Sequence, residues 1–127
     1  MNVRSLGAAV SLWLLAMPAA AHDFTVTNNV NADVVVWVRT LADDGATFRQ
    51  ARHVVGSGQT KTVASSRHGE AWYFAEIEPY SGYYWGAGDG EDWHKVDKRP
   101  YAVPFSAWPS GAGVPGPLVL STRHDRG

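Results

Sequence analysis

The chain reads as an all-β domain: a small antiparallel β-sandwich or partly open barrel of about seven to eight strands. Three observations predict this. Short apolar stretches alternate with polar residues at period two. Gly, Asn, Asp and Pro interrupt them at roughly the 8–12-residue spacing of sandwich strands. No stretch combines a helical period with a capping residue.

Residues 24–27, Phe-Thr-Val-Thr, alternate as a half-buried strand should, and Asn28, Asn29 and Asn31 supply turn chemistry after it. Residues 34–38, Val-Val-Val-Trp-Val, are apolar on both faces, which predicts a central strand. Asp43-Asp44-Gly45 signals a hairpin that returns the chain through Phe48 to Val55. Gly56-Ser57-Gly58 turns it again into a short strand over 60–63. Residues 71–77 form the longest aromatic strand, with Ala71, Tyr73, Ala75 and Ile77 on one face and Trp72, Phe74 and Glu76 on the other. Tyr83-Tyr84-Trp85 resumes the pattern, and Gly86 to Asp92 is an acidic, glycine-rich loop. Residues 93–103 hold one or two short strands, which Pro100 and Pro104 confine to an edge or to turns. Residues 109–117 read as a structureless connection, and 118–120 as the last strand.

The N-terminus predicts export. Arg4, an apolar stretch over 6–17 and the small residues Ala19 and Ala21 are the three parts of a cleavable secretory signal. The expected organisation is a signal over 1–21, one β-domain over 22–122 and a flexible charged tail over 123–127. The expected location is periplasmic or secreted, with no membrane anchor. Without the signal, ten basic residues face twelve acidic ones, and this balance argues against nucleic acid as a partner. The chain has no Cys, so a small exported domain must draw its stability from its core, a metal or association. Trp37, Trp72, Phe74 and their aromatic neighbours supply the core material.

The motifs at 24–29, 58–63, 72–76 and 85–86 resemble small exported bacterial β-domains grouped as families of unknown function. That resemblance implies a β-fold and carries no activity. The opening Phe-Thr-Val-Thr-Asn-Asn is also similar to the start of thaumatin-like proteins, but those are disulfide-dense and this chain has no Cys.

Three groups of residues could carry function. The first is an aromatic and acidic surface formed by Tyr83, Tyr84, Trp85, Asp89, Asp92 and Trp93, with Tyr80, Tyr101 and Trp108 nearby. Indole and phenol rings stack on sugar faces while carboxylates bind hydroxyls, and the same rings serve a protein contact equally well. The second is His22. If the signal is cut after Ala21, its free amine and imidazole can chelate copper, with a second imidazole from His53, His68, His94 or His124. His22, His53 and His94 are the leading ligand set. The third is the 88–92 loop, whose carboxylates could contribute oxygens to Ca²⁺.

Hydrolase chemistry finds no support, because there is no Cys and no Ser in a Gly-x-Ser-x-Gly turn. Glu76 and Glu78 read as a solvated strand end, and Arg49, Arg52 and Arg67 as a charged rim. The sequence therefore predicts a non-catalytic binding or interaction module for an unknown protein or carbohydrate. A copper-binding protein is the alternative.

Overall fold

Residues 34–38 set the architecture, because neither face of that strand is polar and both must be covered. In the computed structural model, which describes residues 21–77, 83–86 and 92–121, both faces are covered. The expected signal, apart from Ala21, and the expected tail lie outside the described residues.

The described residues form eleven strands and no helix. In chain order they are β1 (His22–Asn28), β2 (Val34–Leu41), β3 (Phe48–Val55), β4 (Thr60–Ser66), β5 (Ala71–Glu76), β6 (Tyr84–Gly86), β7 (Asp92–His94), β8 (Val103–Ala107), β9 (Ser110–Gly111), β10 (Val114–Pro115) and β11 (Leu118–Leu120). The first sheet has the order β11-β1-β4. The second runs β3-β2-β5-β8-β7, with β6 also paired to β5. Both sheets are open, so the domain is a small sandwich and not a closed barrel.

The main core lies between the sheets. Phe24 and Val26 of β1, Val63 of β4, and Leu118 and Leu120 of β11 meet Val34, Val36 and Val38 of β2, Ala71 and Ala75 of β5, and Trp85 of β6. Trp108 closes one end, edge-on to Phe24 and Tyr73, and its indole N–H donates to the Gly116 carbonyl at 2.8 Å. The second sheet buries its other face as well. Val35, Trp37 and Phe74 pack there against Val96, Val103 and Phe105. The two faces of β5 divide as the alternation predicts.

Three features depart from the sequence reading. One strand pair is parallel: β1 runs beside β11 with Val26 opposite Leu118. The segment 109–117 is not structureless, since β9 and β10 form a minimal hairpin. Its two turn residues, Ala112 and Gly113, have φ of 54° and 76°, as a mirror-image turn requires. Alanine is a poor turn signal, so the hairpin is hard to read from sequence. The strand count exceeds expectation because five of the eleven strands have only two or three residues. Pro104 does lie in a strand, but at its level β8 pairs only with β7; the pairing with β5 begins at Ser106. A missing N–H is tolerated on that unpaired side.

Asn28 joins the two sheets and goes beyond the turn role read from sequence. It is fully buried at the end of β1. Its amide donates to the carbonyls of Ala32 (2.7 Å) and Val55 (2.9 Å), and its Oδ1 accepts from the Val30 N–H at 2.8 Å. Asn28→Ala removes all three bonds and leaves buried partners unsatisfied, so it is expected to destabilise the domain by about 2–4 kcal/mol. Asn29→Ala, at an exposed neighbour, should change stability by less than about 0.5 kcal/mol. Urea unfolding of the two variants checks the contrast.

Candidate functional site

The segment that covers the outer face of the second sheet also builds a cleft there. Val96 is buried against that face. The Trp37 indole N–H reaches up to the Asp97 carbonyl at 3.1 Å, and the Gln50 amide donates to the Lys95 carbonyl at 3.0 Å. The Lys95 ammonium donates to the Pro100 carbonyl at 3.0 Å. Lys98 turns the chain with φ of 70°, a left-handed conformation that costs a non-glycine residue about 1–2 kcal/mol. After that turn Arg99 points back to the sheet and pairs with Glu76 of β5.

This ion pair is the main correction to the sequence reading. Glu76 is no solvated strand end; it is 3% exposed. Alternation places it beside Phe74 on the outer face, and the 92–105 cover then buries it. A carboxylate there is tolerated only with a cationic partner, which Arg99 supplies. The Arg99 guanidinium also lies 5.3 Å from the centre of the Tyr101 ring.

The cleft has a volume of about 400 Å³. Phe74 and Glu76 of β5, Tyr84 of β6, Trp93 of β7, and Arg99, Tyr101 and Val103 are among its lining residues. Tyr84 stacks on Phe74 with ring centres 5.7 Å apart and planes at 28°. Trp93 and Tyr101 stand at the rim, 55% and 53% exposed. The arrangement is an aromatic enclosure with one charged couple in its lining. That combination suits binding and orienting a small molecule.

The residues singled out from sequence separate into three places. Tyr84 and Trp93 line the cleft together. Trp85 does not join them: successive residues of a strand point to opposite faces, and Trp85 lies in the main core between the sheets at 6% exposure. Tyr83 is exposed but does not line the cleft. Asp92 turns away from it, bonded to the His94 ring at 2.6 Å and close enough to Arg39 to oppose the fall in that residue's pKa caused by burial. Trp108, counted among the surface aromatics, is core. Asp89, Tyr80 and most of the 88–92 loop lie outside the described residues, so the Ca²⁺ reading falls there. Glu76, Arg99 and the part played by Tyr101 were missed. Period-two alternation already puts Glu76 on the face of Phe74, but it does not show that this end of the face is covered. Nothing in a loop sequence indicates that Arg99 folds back to it.

The leading ligand set, His22, His53 and His94, is dispersed, and His124 lies outside the described residues. His22 opens β1 opposite Ser66 of β4, in the first sheet. His53 is on β3, on the inward side it shares with Val55, near Lys61 and the backbone of Val63. His94 sits over Phe105 on the opposite face of the second sheet, ring centres 5.7 Å apart. Among the described residues no three His, Cys, Asp or Glu side chains converge on a point that could hold a metal. Also among them, no helix is long and apolar enough to cross a membrane.

Comparison of the chain with protein-family models, with curated proteins and with solved structures found no match.

Two measurements check this electrostatic description. Arg99→Ala leaves the Glu76 carboxylate buried and unpaired, and should cost about 3–5 kcal/mol in urea unfolding. The double variant Glu76→Leu/Arg99→Met should recover most of that loss. At His53, burial first and the Lys61 charge second push the imidazole pKa below its usual value, against a weaker opposing effect of the Val63 backbone. The unfolded chain then binds the proton more readily, so this group's contribution weakens as pH falls through about 6.5 and below. An NMR titration should place the His53 midpoint below 6.5, and His53→Gln should flatten the stability–pH curve in that window.

Proposed function

We propose that this chain is an exported, non-catalytic binding module that takes a small ligand, or a small unit of a larger one, in the aromatic cleft over β5. The observation that carries the reading is the co-location of Tyr84, Trp93 and Tyr101 around the buried Glu76–Arg99 pair. Aromatic walls with a few fixed polar groups are the usual composition of a ligand pocket, and about 400 Å³ falls in the usual size range. The two charged groups in the lining are committed to each other, so neither is offered as an acid, a base or a nucleophile. The pinned 95–100 segment supports the same reading, because a preorganised wall loses less entropy when a ligand arrives. Export rests on the signal pattern over 1–21.

The test is a screen of small neutral fragments followed by two-dimensional ¹⁵N–¹H NMR. Binders should shift the resonances of residues 74–76, 84, 93 and 99–104 and leave β1, β4 and β11 unchanged. Trp93→Ala and Tyr101→Ala should abolish those shifts while lowering stability by less than about 1 kcal/mol, because both side chains are more than half exposed. Trp85→Ala, in the core, should instead cost about 3–5 kcal/mol. A screen in which no fragment perturbs the cleft overturns the proposal.

A further inference from the structure

We infer that the free edge of β3 is a docking site for an extended, acidic peptide segment of a partner protein, which joins the second sheet there as a further strand. The surface is separate from the cleft, since β3 stands at the opposite end of the strand order from β7 and lines no part of it. β3 pairs with β2 in an unbroken register from Phe48 to Val55, and among the described residues no strand lies on its other side. In an antiparallel pair, alternate residues turn both backbone groups toward the partner strand and the rest turn them away. Two bonds fix the phase here. The Ala42 N–H donates to the Thr47 carbonyl, so Thr47 faces β2. The Val54 carbonyl points away from β2 and accepts from the Lys61 ammonium at 3.3 Å. Phe48, Gln50 and Arg52 therefore turn their N–H and C=O groups outward, and among the described residues these groups have no partner.

The other edges of the two sheets are blunted. β4 is broken by a bulge opposite Phe24 and Thr25, and β7 and β11 have only three residues each. β3 has eight, with no proline and no bulge, and Phe48 to Arg52 are all exposed. Charge narrows the occupant. Residues 45–69 contain Arg49, Arg52, Lys61 and Arg67 and no Asp or Glu. Arg49 and Arg52 stand on the edge strand itself, and among the described residues neither is in an ion pair. Opposite charges on neighbouring strands stabilise and like charges destabilise, so the edge favours a strand that carries carboxylates. The same rule disfavours a second copy's β3, which would set arginine against arginine. A polyanion without a peptide backbone would meet the arginines and leave the N–H and C=O groups to water. An added strand satisfies both. Phe48 and Val54, 46% and 42% exposed on the outer face, give apolar contact to its alternate side chains.

The test begins with the full chain alone. Hydrogen exchange followed by NMR should show fast amides at Phe48, Gln50 and Arg52 and slow ones at Ala51 and His53. Protection of the first three in the free monomer overturns the inference. A random peptide display library is then selected against the full chain, and the enriched peptides are synthesised. They should carry Asp or Glu in a proline-free core, shift the resonances of residues 48–54 and protect the three outward amides. N-methylation at alternate peptide positions should abolish binding in one phase and spare it in the other; equal binding in both phases excludes an added strand. Arg49→Glu/Arg52→Glu should weaken binding at least about tenfold and keep the fold, because both side chains are exposed. Arg49→Gln/Arg52→Gln replaces it if the charge reversal unfolds the domain; binding unchanged in the folded variant overturns the acidic class. Heparin or a DNA duplex that matches the best peptide at these residues makes the edge a polyanion site instead. Sedimentation of the full chain as a dimer with these amides protected makes it a contact between copies. If no enriched peptide maps to β3, the arginines only guard the edge against self-pairing and the inference falls. None of these outcomes bears on the cleft.

Discussion

The structure depends on one constraint: β2 has no polar face. Val34, Val36 and Val38 point one way, and Val35 and Trp37 the other, and all five are buried. A strand of this kind needs a cover on each side, and burying a Val-sized or larger apolar side chain contributes about 1.5–3 kcal/mol. The sheet of β11, β1 and β4 covers the first side in the manner of any sandwich. On the second side a single winding segment, from β7 to β8, does the work of a sheet. A thin, irregular cover cannot seal the whole face. The cleft is the part of that face left open between β6 and the winding segment.

The cover's irregularity explains both its anchors and its chemistry. A loop laid on an apolar surface has backbone carbonyls that need donors. Two of them are met by side chains rising from the sheet beneath, Trp37 to Asp97 and Gln50 to Lys95. The Glu76–Arg99 pair belongs to the same set of ties, and it differs from them in lining the cleft. A buried ion pair adds little net stability compared with well-packed apolar residues, but breaking it is expensive. It therefore holds the 95–100 segment in one place. Lys98 in its left-handed conformation fits this picture, since backbone strain persists only where surrounding contacts hold it.

How legible the molecule is from sequence varies with the physics of each part. Strands β1 to β5 follow from period-two alternation and turn chemistry, because both are local. The hairpin at Asp44 is a clear case: its carboxylate accepts from the Thr47 hydroxyl and then from the Thr47 and Ala46 N–H groups, which lowers its pKa to about 2. The β9–β10 hairpin was not legible, because Ala112 occupies a position where Asn or Gly would be the signal. Aromatic residues proved the hardest to sort. Trp85 and Trp93 look alike in sequence, each in a short segment beside the acidic loop, yet one is core and the other rim.

By itself, the sequence determined that the domain is all-β, that β2 is central, and how the faces of β5 divide. These follow from alternation along single strands, which every residue carries locally. Only the tertiary structure decided what lies over the outer face, that Glu76 is buried, that Arg99 is its partner across twenty-three positions of chain, and which aromatics surround them. The reason is the range of the interactions. Strand periodicity is a property of neighbouring residues, whereas a desolvated charge finds its counter-charge wherever the fold has folded the chain back. The sandwich was legible because its determinants are local; the cleft was not, because its determinants meet only in space.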